Sequence, residues 1–326
     1  MKHLYPFLAT LILLNGCVSA KGVKSPSGQR AQPADNSAAV EKPAPNPPPV
    51  TGAVELVWEG VFGAGAGIKS PWGISFGVDG TLYVCDRDRF SILRLDNEGG
   101  LLARYRGSGT RAERLYSPID ICSSAGIPIY VIDQANSRIL RFDRNLKNAF
   151  TIYNRTEDGA RLFGSLNGLA FDRESGDLYV SDRESGALVR IDMLGHTVKS
   201  RGAFGSGKNT FDKPSGLDVG DDGRIFIADT GSGTIASLEH FGAQLVRIGK
   251  GTLTSPADIA VVPGLGIAVA DRDGVVVMDT DGRGLGYAGF AMDRVMKPRS
   301  IAYRDSVLYI SDAASDAILV YRMIIK

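Results

Sequence analysis

The sequence contains few of the side chains that bind metals or form disulfides, and it has no large excess of either charge. Three cysteines and three histidines occur among its 326 residues. Lysine plus arginine numbers 37 and aspartate plus glutamate 36, so the net charge is +1 at pH 7. A general nucleic-acid-binding protein carries a strongly basic face, and this balance argues against one. The few histidines leave little material for a zinc centre.

Long apolar segments are also lacking, apart from one short run at the N-terminus. Lys2 precedes the apolar run Phe7–Leu14, an arrangement typical of an export signal. Because a helix rises about 1.5 Å per residue, this run is too short to cross a hydrocarbon core of about 30 Å. The sequence therefore favours a cleaved signal over a transmembrane helix.

The apolar run leads into the motif Leu14-Asn15-Gly16-Cys17. It resembles the lipobox of bacterial lipoproteins, in which the chain is cut before the cysteine and that cysteine is lipidated. The resemblance implies a signal peptide over residues 1–16, lipidation of Cys17 and a membrane anchor. Val18 stands where inner-membrane retention signals have Asp, which implies a cell-envelope protein of the outer membrane, facing the periplasm or the cell surface. The alternative is an ordinary cleaved signal with an incidental cysteine.

Residues 17–50 predict a disordered tether that starts at the lipidated cysteine. Seven of the 15 prolines of the chain lie in this segment, and no aromatic residue does. Such a composition cannot bury enough apolar surface to offset the entropy lost on ordering, and Pro-rich segments are extended and semi-rigid. The tether would hold residues 51–326 away from the membrane.

Residues 51–326 contain six copies of one pattern, spaced by 42 to 48 residues. Each copy opens with a short segment that contains Pro-x-Gly-Ile or a variant of it: Ser70–Ile74, Ser117–Ile121, Ser165–Leu169, Lys213–Leu217, Ser255–Ile259 and Lys297–Ile301. An apolar run closed by Asp follows in each: Leu82–Asp86, Ile129–Asp133, Leu178–Asp182, Ile225–Asp229, Ile267–Asp271 and Leu308–Asp312. We expect each closing Asp to accept hydrogen bonds from the next turn rather than to act in catalysis.

Two further apolar runs follow in most copies, so each copy predicts a four-stranded antiparallel sheet. Four strands in 40–50 residues are typical of a propeller blade. The pattern resembles the NHL-repeat family, which has Pro-x-Gly-Ile on the first strand and Tyr-Val-x-Asp at the end of the second. The resemblance implies an all-β, six-bladed β-propeller over residues 51–326. It does not define a function, because propellers have many unrelated activities.

The two ends of the repeat region are complementary. Val54–Gly63 has the pattern of a fourth strand without its blade, and the last copy ends at Ile318–Tyr321 after three strands. The sequence therefore predicts that the N-terminal strand completes the last blade. This arrangement would close the ring and cover an exposed sheet edge.

The loops before the first strand and after the second strand of each blade predict a binding face at one mouth of the central channel. Arginine forks match carboxylate and phosphate groups, so this face suits an anionic group, an acidic peptide or a protein. The alternative is a set of solvated turn arginines neutralised by Asp88, Glu184 and Asp273. The candidate binding residues are Trp72, Arg87, Arg89, Asn167, Arg183, Arg272 and Arg299, and Ile119, Gln134, Ser215 and Thr230 fall on the same face.

Three carboxylates, Asp120, Asp218 and Asp258, fall on predicted innermost strands. They are candidates for a Ca²⁺ site, since Ca²⁺ takes six to eight oxygen ligands. Asp120 and Asp258 come from opposite blades, however, and one ion would have to span the channel. The alternative is polar lining of a water-filled channel.

Zinc-dependent amidating lyases and calcium-dependent lactonases resemble this fold. The lyase type needs histidines in the channel, whereas His196 and His240 are predicted on the opposite face. We therefore predict a non-catalytic, membrane-anchored binding or scaffold propeller without a cofactor. The alternative is a lactonase- or lyase-like enzyme with a channel metal held by carboxylates. Cys85 and Cys122 fall in adjacent copies, and the sequence leaves open whether they form a disulfide, which export permits, or remain buried thiols.

Overall fold

The computed structural model describes residues 49–107, 114–123, 128–152, 163–192, 197–201, 211–239, 245–289 and 297–326, with backbone only for 197–201. This part of the chain lies within one compact unit, residues 45–326. It contains 24 β-strands and two 3₁₀ turns of three residues, and no α-helix. Within these ranges no helix is long and apolar enough to cross a membrane. The predicted signal, Cys17 and most of the tether lie outside the described residues.

The strands form six four-stranded antiparallel sheets, as predicted. Blade 1 contains β2 (Pro71–Phe76), β3 (Leu82–Asp86), β4 (Ser91–Leu95) and β5 (Leu101–Tyr105). Blade 2 contains β6 (Pro118–Cys122), β7 (Ile129–Asp133), β8 (Arg138–Phe142) and β9 (Phe150–Ile152). Blade 3 contains β10 (Leu166–Phe171), β11 (Leu178–Asp182), β12 (Ala187–Ile191) and β13 (Thr197–Arg201).

Blade 4 contains β14 (Pro214–Val219), β15 (Ile225–Asp229), β16 (Thr234–Leu238) and β17 (Leu245–Ile248). Blade 5 contains β18 (Asp258–Val262), β19 (Gly266–Asp271), β20 (Gly274–Met278) and β21 (Gly284–Gly289). Blade 6 contains β22 (Pro298–Arg304), β23 (Val307–Asp312) and β24 (Ala317–Ile325), and β1 (Val54–Phe62) is its fourth strand.

The hydrophobic core lies between the faces of neighbouring blades. Six clusters of buried apolar side chains each combine residues of two adjacent blades, including one that joins blade 6 to blade 1. Between blades 1 and 2, for example, Tyr83 and Ile92 pack in one cluster with Ile121 and Phe142. The second strand of each blade is apolar on both faces because each face packs against a neighbour. Six such interfaces make a closed ring.

The N-terminal strand closes this ring, which confirms the prediction. β1 pairs with β24 in antiparallel register from Val54 opposite Ile325 to Phe62 opposite Ile318. The ring of Trp58 contacts that of Tyr321 edge-on, with centroids 5.2 Å apart. This pairing covers the backbone groups of a strand edge that would otherwise be open to another chain.

The Asp residues that close the second strands anchor the loops around one mouth of the channel. Asp133 accepts hydrogen bonds from the backbone N–H groups of Tyr116 and Ser117, at 3.0 and 2.9 Å. Asp182 accepts them from Gly164 and Ser165, at 2.7 and 2.8 Å. The donors are thus chiefly in the loop before the first strand of the same blade, and not only in the next turn as we expected. All six side chains are buried: Asp86, Asp133, Asp182, Asp229, Asp271 and Asp312.

Cys85 and Cys122 are both buried, and no disulfide joins them. Cys85 lies on β3 and packs in the cluster between blades 1 and 2. Cys122 ends β6 and packs between blades 2 and 3. The two thiols therefore belong to different inter-blade interfaces.

Deleting residues 51–62 should remove β1 and expose the edge of β24. We expect aggregation or loss of a cooperative thermal transition, because the unpaired edge and the apolar side chains under β1 become exposed. Circular dichroism on heating and size-exclusion chromatography measure both effects. Deletion of residues 18–48 is the control and should leave the melting curve unchanged. A soluble, cooperatively folded protein without 51–62 would contradict the closure by β1.

Candidate functional site

The six innermost strands, β2, β6, β10, β14, β18 and β22, contact one another in sequence around a central channel. A cavity of about 540 Å³ lies at the end of the channel where these strands begin. We call it the arginine mouth; its lining includes Trp72, Ile119, Gln134, Asn167, Arg183, Ser215, Thr230, Arg272, Lys297 and Arg299. A second cavity of about 550 Å³, the opposite mouth, is lined by later residues of the same strands, including Phe76, Phe171, Asp218 and Tyr303. Asp120 and Asp258 line both cavities.

Trp72 lies at the centre of the positive charge at the arginine mouth. The guanidinium carbon of Arg87 is 4.4 Å from the centroid of the indole ring, and that of Arg299 is 4.3 Å from it. Both distances fall within the range of cation–π contacts. Burial lowers the pKa of Arg299, and the nearby charges of Arg87 and Arg183 lower it further, whereas the carboxylate of Asp312 acts in the opposite direction. The cations at this mouth are therefore close enough to repel one another.

The cations of the arginine mouth form no ion pair with an acidic side chain within the described part of the chain. No ion pair there includes Arg87, Arg183, Arg272, Lys297 or Arg299. Elsewhere arginines do pair, as Arg94 does with Asp79 at 2.7 Å and Arg138 with Asp133 at 3.1 Å. The sequence left open the alternative that Asp88, Glu184 and Asp273 neutralise these arginines. Among the described residues, no ion pair joins any of the three to an arginine of the mouth.

The repeat explains how these arginines reach the mouth. Arg87 and Arg183 directly follow the buried Asp that ends a second strand. The backbone N–H of Arg87 donates to the carbonyl of Ser70 at 3.2 Å, and that of Arg183 donates to Ser165 at 2.8 Å. Each arginine therefore stands beside the loop that enters the innermost strand. Arg272 has the same position in blade 5, after Asp271.

Three residues differ from the sequence-based expectation. Arg87 and Arg89 do not line the cavity. Arg87 instead lies against Trp72, which does line it, and the guanidinium of Arg89 donates to the carbonyl of Gly67 in the loop before β2. Lys297 lines the cavity although the sequence analysis did not include it. It immediately precedes Pro298, and this position before the first strand was the signal that could have revealed it.

The channel floor is formed by carboxylates that join neighbouring blades. One oxygen of Asp120 accepts a hydrogen bond from the backbone N–H of Leu169 in blade 3, at 2.7 Å. Asp258 accepts one from Ile301 in blade 6, at 3.0 Å, and Asp218 accepts one from Val261 in blade 5, at 2.8 Å. These bonds satisfy backbone donors of the innermost strands that face the channel.

The glycine of the Pro-x-Gly-Ile motif makes room for these carboxylates. A Cβ on Gly216 would lie 1.8 Å from one oxygen of Asp258, and a Cβ on Gly73 would lie 2.6 Å from one oxygen of Asp120. Both distances are far below contact. The motif therefore requires glycine wherever the next blade supplies an Asp at the same level.

The floor carboxylates ionise with difficulty. Burial raises the pKa of Asp258 to about 7 and that of Asp218 to about 6. Burial also raises the pKa of Asp120 well above its usual range, and the carboxylate of Asp258 raises it further. Asp120 and Asp258 are only 9% and 7% exposed.

The three candidate metal ligands lie in the channel but do not form a ligand cluster. Among the described residues, no three His, Cys, Asp or Glu side chains are placed to hold one metal ion. Asp120, Asp218 and Asp258 instead each accept a backbone N–H of the adjoining blade. His196 and His240 lie outside the described residues.

Solved structures with this fold include both enzymes and binding proteins. Virginiamycin B lyase from Staphylococcus aureus is 12% identical with a TM-score of 0.59, over 83% of this chain and all of its own. An auxiliary nutrient binding protein from Bacteroides thetaiotaomicron is 13% identical with a TM-score of 0.61, over 83% of this chain and 76% of its own. A PQQ-bound aldose sugar dehydrogenase from Streptomyces coelicolor is 17% identical with a TM-score of 0.55, over 85% of this chain and all of its own.

No protein-family model and no curated protein matches the chain. The similarity to solved structures therefore establishes a shared architecture and leaves function to the site itself. By its structural neighbours and its own six blades, the chain is a six-bladed β-propeller.

Replacing Asp258 by Asn should flatten the pH dependence of stability. The raised pKa of about 7 means that folded Asp258 retains a proton that the unfolded chain releases above about pH 4. The free energy of unfolding of the wild type should therefore fall between about pH 4 and 7, by about 1.4 kcal/mol per pH unit for one such group. The introduced amide cannot ionise, and it still offers an oxygen to the backbone N–H of Ile301.

Urea unfolding across this pH range measures the difference between the two proteins. The exposed Asp305, replaced by Asn, is the control and should follow the wild type. Parallel curves for the wild type and the Asp258→Asn protein would mean that Asp258 ionises freely in the folded state.

Proposed function

We propose that this chain is a membrane-anchored, non-catalytic propeller of the cell envelope that binds an anionic ligand at the arginine mouth. One observation carries the proposal. The guanidinium groups of Arg87 and Arg299 lie over the ring of Trp72, and neither they nor the neighbouring cations pair with a described carboxylate.

Repulsion among these cations is an electrostatic cost in the free protein. A ligand with a carboxylate or phosphate group would remove this cost and accept bidentate hydrogen bonds from the guanidiniums. The stacking on Trp72 limits the motion of Arg87 and Arg299, so less side-chain entropy would be lost on binding. The site is thus preorganised for an anion.

The cavity also has the dimensions of a binding site. Its volume of about 540 Å³ lies within the range of small-ligand pockets. Trp72 and Ile119 supply apolar wall, whereas Asn167 and Gln134 supply polar groups. An acidic segment of a protein partner or an anionic surface ligand fits this combination.

A second candidate function is a lactonase- or lyase-like enzyme with a metal held by carboxylates in the channel. The observation that favours it is the pair of floor carboxylates Asp120 and Asp258, because carboxyl groups with raised pKa values are suited to proton transfer. Elemental analysis of the purified protein separates the candidates. A stoichiometric divalent cation would favour the enzyme.

The proposed location rests on the N-terminal sequence. The motif that ends at Cys17 supports lipidation, and the Pro-rich segment that follows supports a spacer between membrane and propeller. Together they imply a lipid-anchored protein of the outer membrane, facing either the periplasm or the cell surface.

Replacing Arg87, Arg183 and Arg299 together by Gln should abolish binding of an anionic probe such as a hexaglutamate peptide. Arginine anchors in a desolvated site contribute about 2 kcal/mol or more each, so the affinity should fall by at least about 100-fold. Stability should change little, because none of the three arginines forms an ion pair within the described part of the chain. Isothermal titration calorimetry and thermal unfolding measure the two effects.

A matched control replaces Arg141, Arg144 and Arg173 by Gln. These three are exposed, do not line the arginine mouth and remove the same total charge. The control should retain most of its affinity, and binding to the wild type should weaken with added salt. Equal losses in the two variants would mean that net charge, and not the arginine mouth, binds the probe.

Replacing Cys17 by Ser should release the protein from the membrane fraction or block its processing. The expected effect is large, because several acyl chains anchor far more firmly than the single chain that gives only reversible binding. Cell fractionation and the apparent mass of the mature chain measure it. A variant that is processed normally and stays in the membrane would contradict the lipid anchor.

A further inference from the structure

The arginine mouth has basic and acidic side chains at two levels. Its rim carries the cations Arg183, Arg272 and Arg299, and its floor carries the carboxylates of Asp120 and Asp258. A ligand with a negative charge alone would satisfy only the rim. The floor would then present two buried carboxylates without a cationic partner from that ligand.

The register of the blades gives the distance between the two levels. Arg87 lies opposite Ser70 and Arg183 opposite Ser165. These partners are three residues before Gly73 and Gly168, which occupy the same position of the motif as Asp120 and Asp258. At about 3.3 Å per residue of strand, the backbones at Arg87 and Arg183 are about 10 Å from the floor. Arg299 lies nearer to it, because it occupies the motif position directly before Ser300, which is level with Asp120 and Asp258.

The floor is built to hold a charged group. Asp120 and Asp258 are on opposite blades and are each more than nine-tenths buried, yet both line this cavity. Their backbone hydrogen bonds to Leu169 and Ile301 fix the positions of the two carboxylates. A carboxylate has about four lone-pair directions, so each can accept a further donor from a ligand.

We propose that the arginine mouth binds a zwitterion, with its carboxylate at Arg87 and Arg299 and its ammonium at Asp120 and Asp258. This inference rests on the proposed function and names its ligand class. The ammonium group would supply the positive charge that the floor lacks. Burial and nearby carboxylates raise the pKa values of Asp120 and Asp258, and a bound ammonium group would oppose the electrostatic part of this rise.

Calorimetry with three forms of one peptide tests the proposal on the wild-type propeller. The probes are tri-alanine, N-acetyl-tri-alanine, which lacks the ammonium, and tri-alanine amide, which lacks the carboxylate. A charged hydrogen-bonding group that loses its partner in a buried site weakens binding by about tenfold or more. We therefore expect tri-alanine to bind at least about tenfold more tightly than either blocked form.

The Asp120→Asn, Asp258→Asn double variant is the matched test of the floor. Asn keeps an oxygen acceptor for the N–H groups of Leu169 and Ile301. In this variant tri-alanine should bind no better than N-acetyl-tri-alanine does. The exposed pair Asp221 and Asp222 replaced by Asn is the control, and it should keep the preference for the free ammonium.

Citrate, an anion without an ammonium group, tests the proposed anion site separately from the proposed ammonium site. If citrate binds and N-acetyl-tri-alanine binds as well as tri-alanine, the zwitterion proposal is wrong and the anion site stands. If tri-alanine does not bind while citrate does, the zwitterion proposal is also wrong. If neither citrate nor any peptide binds, the proposed anion site fails with it. The wild-type comparison holds even if the double variant does not fold.

Discussion

The arrangement depends on one constraint: backbone N–H groups of the innermost strands face a narrow channel and must be hydrogen-bonded where the strands crowd together. Side chains of the neighbouring blade satisfy several of them. Asp120 accepts from Leu169, Asp258 from Ile301, and the hydroxyl of Ser300 accepts from Ile74 at 3.2 Å. These bonds link blade 2 to blade 3, blade 5 to blade 6 and blade 6 to blade 1. Removing an acceptor would leave a buried donor unpaired, at a cost of about 1–3 kcal/mol. The closure of the ring by β1 keeps all six blades at the distance at which such bonds form.

The same constraint shapes the candidate site. Asp120 and Asp258, which link neighbouring blades, also line both cavities, so residues with a structural role form part of the proposed site. The buried Asp at the end of each second strand anchors the loop that borders the mouth. Residues that directly follow it, such as Arg87 and Arg183, are thereby held at the rim. A rigid scaffold thus positions cations that repel one another, which is the condition that favours an anionic ligand.

The sequence predicted the architecture because the same pattern of strands occurs in six copies. The blade boundaries, the four-stranded sheets and the pairing of β1 with β24 follow from local patterns and were confirmed. The hydrogen bonds from backbone N–H groups of one blade to carboxylates of the next were not predictable. They depend on how two neighbouring blades are aligned along the channel axis, and no local sequence pattern specifies that alignment. Arg89 illustrates the same limit: it lies only two residues from Arg87, yet its side chain turns to the carbonyl of Gly67. The stacking of Arg87 and Arg299 on Trp72 joins residues more than 200 positions apart in sequence and required the closed ring.

The fluorescence of Trp72 tests the central claim most directly. The chain has two tryptophans, and replacing Trp58 by Phe keeps an aromatic ring against Tyr321 while leaving Trp72 as the single reporter. The account predicts that titration with an anionic ligand changes the emission of Trp72 in a saturable manner, with the same affinity as calorimetry gives. A ligand that binds by calorimetry and leaves the emission of Trp72 unchanged would contradict binding at the arginine mouth.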